Sequence, residues 1–162
     1  MPHTEALQHL LEHYRSMPPV AAMDLRIAGY DGRRLELHAP LARHVNDKGC
    51  AFGGSLASMM TLASWGLVSL QVEAAGIAAD IYVADSQVRY LAPLFDDIRV
   101  SAELGPGSDW DEFIRTLRQR GRARANLVAQ VPLPDGAIAT GFTARYVAIA
   151  RGASPSLPAS PG

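Results

Sequence analysis

The sequence predicts an α+β layer, a curved antiparallel sheet of six strands wrapped around one buried helix. Three observations predict it. The stretch from Ala51 to Val72 carries no charged side chain, and a helix that is uncharged all round belongs in a core or a membrane. Six other segments alternate in side-chain character with a period of two, as strands with one covered face do. Asp31-Gly32 and Asp135-Gly136 are hairpin turn signals, so strands on either side of them run antiparallel. The helix needs cover on most sides and the strands need something to cover; wrapping one around the other satisfies both.

The elements follow in order. Thr4 to Met17 reads as a first helix, with Thr4 as cap, Leu7, Leu10, Leu11 and Tyr14 at helical spacing, and Pro18-Pro19 as its stop. Met23, Leu25 and Ile27, then Leu35, Leu37 and Ala39, form the covered face of a hairpin. Pro40 to Cys50 is a loop. The long helix runs from about Gly53 to Ala75 and stops at Gly76. Asp80 to Leu91 is a strand in which Ile81, Val83, Asp85, Gln87 and Arg89 share one face. Ile98 to Leu104 is the next strand. Ser108 and Asp111 resemble a capping box for a short helix through Trp110, Phe113, Ile114 and Leu117, ending at Gly121. In the strand that follows, Ala123, Ala125, Leu127, Ala129 and Val131 face inward, with alanines small enough for a helix to approach. The last strand spans about Ala137 to Ile149. Residues 1–150 are expected to form one domain, and 151–162, rich in Ser, Pro, Gly and Ala, a disordered tail.

Composition narrows the function. Charged residues make up 19% of the 162 and the formal net charge is −1, so nothing global points to nucleic acid or an anionic membrane. Ala51 to Val72 is long enough to cross a bilayer, which takes about 20 residues, but its Ser55, Ser58, Thr61, Ser64, Ser69 and Gln71 favour a helix buried inside a domain. Cys50 is the sole cysteine, which rules out an internal disulfide. The N-terminus shows no basic region followed by an apolar run, so the expected location is the cytoplasm. Scattered histidines and the lack of ligand spacing give no metal signature, and no phosphate-loop or dinucleotide motif is present.

The run Asn46-Asp47-Lys48-Gly49-Cys50-Ala51-Phe52-Gly53-Gly54-Ser55-Leu56, with Trp65-Gly66-Leu67 and Ala84-Asp85-Ser86-Gln87-Val88-Arg89-Tyr90-Leu91-Ala92-Pro93, resembles the YiiD C-terminal domain family of thioesterases, and more broadly the hotdog superfamily. The resemblance covers about residues 5 to 150. It implies a hotdog fold and hydrolysis of acyl-CoA or acyl-carrier-protein thioesters, with coenzyme A present only as part of the substrate. In that superfamily an Asn-x-x-Gly-x-x-His-Gly-Gly pattern opens the central helix and Tyr-Leu-x-Pro closes the next strand. The sequence departs from the better-known thioesterases at Phe52, where many carry His, and at Thr61, where the phenylacetyl-CoA type carries a helical Asp or Glu. Phe-Gly-Gly-Ser is shared with the YiiD-like family.

The residues suggest a chemistry. Hydrolysis of a thioester needs donors aimed at the carbonyl oxygen as charge develops, and a helix N-terminus supplies unpaired N–H groups. Gly53 and Gly54 are therefore candidate oxyanion donors, or else a glycine pair that permits close packing. Asn46 is a candidate for orienting water or the thioester, or a turn residue. For the base, Asp47 and Asp85 are candidates; Asp85 reads as an inward carboxylate on an apolar face, a costly placement unless paired. His44, the histidine near the motif, could act as a base at neutral pH, but reads more readily as a partly exposed loop histidine. Gly49, Cys50, Phe52, Ser55, Thr61 and Gln87 are expected to contact substrate, Ser55 as a first-turn cap more than a nucleophile. Arg122 and Arg124, in a cluster with Arg115, Arg118 and Arg120, could receive the phosphates of coenzyme A or an acidic carrier protein.

Six strands leave sheet edges, which are commonly closed by a second copy; a homodimer or dimer of dimers is expected. The alternatives are a non-catalytic acyl-thioester binder, favoured by the missing helical carboxylate, and a hotdog dehydratase or hydratase, against which Phe52 speaks because that chemistry usually wants a His.

Overall fold

A computed structural model of the chain describes residues 3–152. The expected tail falls almost wholly outside them, at 153–162.

Helix α1 (Thr4–Ser16) is followed directly by a one-turn helix α2 (Pro18–Ala21). Pro18-Pro19 was expected only to stop a helix. It also starts one, because proline's missing N–H costs nothing in a first turn. His3, not Thr4, holds the cap position of α1. Strands β1 (Arg26–Tyr30) and β2 (Arg34–Ala39) form the expected hairpin, whose turn is fixed by two backbone N–H groups, of Arg33 and Arg34, donating to the Asp31 carboxylate at 2.9 and 2.7 Å. Then come the central helix α3 (Gly53–Ala74), β3 (Ala79–Tyr90), β4 (Ile98–Leu104), α4 (Trp110–Arg120), β5 (Arg122–Pro132) and β6 (Ile138–Ala150). Gly76 and Gly121 both adopt positive φ just past helix ends, as their stop roles require. Asp109, one residue after the expected Ser108, caps α4 by accepting from the Asp111 N–H at 2.9 Å.

The six strands form one antiparallel sheet in the order β1-β2-β4-β5-β6-β3. Helix α3 packs against β2, β3, β4, β5 and β6, so the sheet wraps around it as expected of a hotdog fold. Its Met59, Met60, Ala63, Leu67 and Val68 are fully buried, as are Leu35, Leu37, Ile98 and Val131 on the strands facing it. The helix is long and apolar enough to cross a membrane, and here that apolar surface lies in the core. The alternation predicted for β5 holds throughout, with Ala123, Ala125, Leu127, Ala129 and Val131 all buried.

Strand β3 departs from the alternation read in its sequence. Val83 pairs with Tyr146 but Asp85 pairs with Arg145, and the extra residue between them, Ala84, makes a bulge. Positions that share a face before the bulge part company after it. Ile81 and Val83 lie opposite the buried Ala148 and Tyr146, whereas Asp85, Gln87 and Arg89 lie opposite Arg145, Thr143 and Gly141. The expectation of an inward Asp85 is corrected accordingly.

Two buried tyrosines clamp α3 from opposite sides. Tyr14 of α1 donates to the Leu62 carbonyl at 2.6 Å, and Tyr146 of β6 to the Thr61 carbonyl at 2.8 Å. Burial pushes the phenol of Tyr14 well up from its ordinary value, so it stays a donor.

Candidate active site

The loop before α3 builds the site from the backbone outward. Asn46 closes it as an Asx turn. Its side-chain oxygen accepts from the N–H groups of Lys48 (2.8 Å) and Cys50 (3.1 Å), its own N–H donates to the Cys50 carbonyl (2.8 Å), and its Nδ2 points at the Cys50 sulfur (3.2 Å). Gly49 has φ +82°, the left-handed conformation that the turn demands. Asn46 and Cys50, the latter 7% exposed, are thus engaged with each other within the loop. Asp47 is a solvated acid, 81% exposed beside Lys48.

This loop delivers the chain to Phe52, the cap residue of α3. The Phe52 N–H donates to the His44 carbonyl at 2.7 Å, and the first helical bond runs from Leu56 N–H to the Phe52 carbonyl at 3.1 Å. The amides of Gly53, Gly54 and Ser55 lie between these two bonds, and no side chain caps the helix. Ser55 was expected to be that cap; its hydroxyl goes elsewhere. The two glycines have different neighbours. A Cβ on Gly53 would come 3.4 Å from the ring of Tyr90, whose hydroxyl donates to the Gly53 carbonyl at 3.0 Å. A Cβ on Gly54 would meet the Phe52 ring at 2.5 Å, so the half-exposed phenyl group lies over this turn.

Beside the turn is a cavity of about 550 Å³ between α2 and the first half of α3, lined by Val20, Met23, Phe52, Ser55, Thr61 and Leu62 among others. That size suits a small-molecule site. Its wall is mainly apolar, and no residue lining it carries a charge. Thr61 reaches it, with its hydroxyl tied back to the Ala57 carbonyl at 2.8 Å.

His44 is the residue that the sequence reading misplaced most. It is 5% exposed, not a partly exposed loop side chain. Its Nε2 lies 2.8 Å from the Met23 carbonyl and its Nδ1 lies 2.8 Å from the Ser55 hydroxyl. Two closures put it there: the Phe52 N–H bond to its own carbonyl, and the packing of the segment after α2 over the loop. Neither has a local sequence signal.

Asp85 and Gln87 are not at this cavity. They line a groove of about 500 Å³ on the outer sheet surface with Asn126, Val128, Thr143 and Arg145. Asp85 is 56% exposed, and Arg145 Nε donates to both of its carboxylate oxygens at 3.0 and 3.1 Å. The Arg145 guanidinium holds the Asp85 carboxyl below its ordinary value, the opposite of what a base working near neutrality needs. The Arg cluster is also remote. Arg118 donates to the Ala75 carbonyl at 2.8 Å, at the C-terminal end of α3, and Arg122 begins β5 beside it. A helix of 22 residues separates that end from Gly53, a distance of about 30 Å. Among the described residues, no group of three or more His, Cys, Asp or Glu could hold a metal.

The chain has relatives among known proteins. A family model described as "Putative thioesterase (yiiD_Cterm)" matches residues 4–150. A solved structure from Shewanella oneidensis, described as a "putative thioesterase", is 30% identical; the match covers 90% of this chain and 99% of that one, with a TM-score of 0.80. A protein of unknown function from Chlorobaculum tepidum TLS is 29% identical over 90% of this chain and 93% of its own, also with a TM-score of 0.80. A Haemophilus influenzae thioesterase, 13% identical over 86% of this chain and 88% of its own, has a TM-score of 0.67 and shares the fold.

Proposed function

We propose, from the premise that this chain belongs to the YiiD_C thioesterase family, that it hydrolyses acyl-CoA or acyl-carrier-protein thioesters at the first turn of α3. The observation that carries this reading is the set of uncapped amides of Gly53, Gly54 and Ser55 beside a mainly apolar cavity. The acyl chain lies along Val20, Met23, Thr61 and Leu62, and the carbonyl oxygen takes the Gly53 and Gly54 N–H groups as negative charge develops on it. Asn46 acts by shaping the loop that presents them.

A second copy completes the assembly in this reading. Strand β3 is a sheet edge, and Val45, Phe52, Tyr82, Tyr90, Leu91 and Phe95 are large exposed apolar side chains on it or near the site. Antiparallel pairing of β3 with its twofold copy would bring the partner's Ala79 end, and with it the neighbouring arginine cluster, toward this copy's Tyr90 end and the Gly53 turn. Arg122 and Arg124 would then receive substrate phosphates across the interface. The uncharged cavity favours one other reading, a binder of acyl thioesters without turnover.

Thiol release from short-, medium- and long-chain acyl-CoAs tests the proposal, run beside Gly53→Pro. Phe52 already has the extended backbone (φ −65°, ψ 132°) that a following proline requires, and the first helical position tolerates proline. G53P therefore removes one donor while leaving the helix in place. A loss of about 10²–10³ in kcat with an unchanged melting temperature is the expected result. Tight coenzyme A binding with no thiol release would establish the binder instead.

A further inference from the structure

We propose that Ser55 is the nucleophile of this site and His44 its general base, so that hydrolysis proceeds through an acyl-serine. For its physiological substrate the inference rests on the thioesterase reading.

The argument starts with protons. The Met23 carbonyl can only accept, so His44 Nε2, 2.8 Å away, carries a hydrogen. In a neutral imidazole Nδ1 is then an acceptor, and the Ser55 hydroxyl 2.8 Å from it donates. The tautomer is thus assigned from its partners. This is the arrangement in which a weak alcohol nucleophile is activated: its proton points at a base, and the base is oriented by a third group. Asp24, directly after Met23, has φ 53° and is the non-glycine residue with positive φ among the described residues. The chain turns sharply just beyond the carbonyl that orients the imidazole.

The cavity supplies the second line of argument. Its hydroxyl-bearing lining residues are Ser55, Ser58 and Thr61. The Thr61 hydroxyl is bound to the Ala57 carbonyl, and of the three it is Ser55 whose hydroxyl meets an imidazole. The candidate carboxylates lie elsewhere, Asp47 in solvent and Asp85 on the outer sheet surface. His44, at 5% exposed, is reached through the hydroxyl it holds. Ser55 itself is half-buried, lines the cavity, and sits on the turn whose amides are uncapped.

The chemistry balances without a further reactant. Ser55 Oγ attacks the acyl carbon and its proton passes to His44 Nδ1, while the carbonyl π pair moves onto the oxygen facing the amides. The intermediate collapses, the C–S bond breaks, and the sulfur leaves with the proton from Nδ1. Water then attacks the ester, giving its proton to Nδ1, and Ser55 Oγ departs and recovers it. The sum is thioester plus water giving acid plus thiol.

The full chain is treated with a fluorophosphonate, which serine nucleophiles attack with loss of fluoride to give a stable adduct, and the adduct is located by peptide mass spectrometry. The expected result is one label per chain on Ser55, none on S55A, and labelling at least about a hundredfold slower in His44→Gln and His44→Asn. Two His44 variants are used because one alone could misfold; circular dichroism and melting identify the folded one. No label on the wild type, a label at another residue, or an unchanged rate in a folded His44 variant overturns the proposal. Thiol release by S55A separates this inference from the function. Acyl-CoA turnover that persists in S55A sinks the nucleophile and keeps the hydrolase. Labelling of Ser55 in a chain that cleaves neither acyl-CoA nor acyl-carrier-protein thioesters sinks the thioester reading and keeps the nucleophile.

Discussion

Gly66 sits where α1 crosses the middle of α3, and the structure sets the cost of giving it a side chain. A Cβ there would lie 2.1 Å from the Tyr14 hydroxyl, 3.0 Å from Leu35 Cδ2 and 3.2 Å from Leu10 Cδ2. The first distance is impossible, so Gly66→Ala must drive the tyrosine away from the Leu62 carbonyl, to which it now donates at 2.6 Å. Leaving a buried hydroxyl unsatisfied costs about 1–3 kcal/mol, and crowding against the two leucines about 1–3 kcal/mol more. Alanine's better helix propensity returns about 1 kcal/mol. The net expectation is a loss of about 3 kcal/mol, or ~6–12 °C in Tm for a domain of this size. Tyr14→Phe alone should cost about 1 kcal/mol, because the Leu62 carbonyl keeps its helical partner. In the double variant the colliding oxygen is gone, so its loss should be smaller than the sum of the single losses by about 2 kcal/mol. Urea unfolding of the four proteins measures the cycle. A G66A protein as stable as wild type, or a double variant whose losses simply add, would refute the close-packing account. The helix α1 clamp also carries function, since α2 and Met23, which follow α1 in the chain, form one wall of the cavity. G66A should therefore raise KM as well as lower Tm.

Three further outcomes are expected. Thr61→Phe fills the cavity beside Leu62 and should lower kcat/KM for long acyl chains by about 10–100-fold relative to short ones, read from the acyl-CoA panel. Asp85→Asn, on the outer sheet surface, should change kcat/KM by less than about twofold and leave the melting temperature close to that of wild type, as for other exposed pairs; abolished turnover would return Asp85 to the site. His9 of α1 lies 2.9 Å from Glu73 of α3, whose carboxylate raises the imidazole above its ordinary 6.5. Folding thus favours protonated His9: the contribution is full below pH 6.5 and fades as pH climbs through the raised value, and Glu73→Gln should flatten that part of a Tm-against-pH curve.

Much of the fold was legible because single residues carried the signal. Gly76 and Gly121 marked helix ends, alternating alanines marked the inner face of β5, and the uncharged run from Ala51 marked the helix that everything else covers. The misses share a physical cause. A bulge inserts one residue without any composition of its own, so Asp85, Gln87 and Arg89 were read onto the wrong face. Pro18-Pro19 serves equally as stop and start, and only the following backbone decides. At the candidate site, the helix start at Gly53 was legible, but the Ser55 hydroxyl expected to cap it turns to His44 instead. His44 was misplaced because its burial depends on Met23, a residue 21 positions earlier. Asn46 was seen as either a ligand-orienting group or a turn residue; its bonds to the Lys48 and Cys50 amides are those of a turn residue.

Ala84, the unpaired residue of β3, determines which mutations this gene can accept. It is the residue of the strand whose loss leaves the pairing on both sides as it is: Val83 would still lie opposite Tyr146 and Asp85 opposite Arg145, each on its present face. Drawing Ala84 into the ladder opposite Arg145 does the reverse. Asp85, Gln87 and Arg89 would then lie opposite Ala144, Phe142 and Thr140 and turn in under α3, and Tyr90 would swing away from the Gly53 carbonyl that its hydroxyl holds. A deletion at Ala84 should therefore be mild, whereas one between Asp85 and Tyr90, which shifts the residues beyond it by one, should be ruinous.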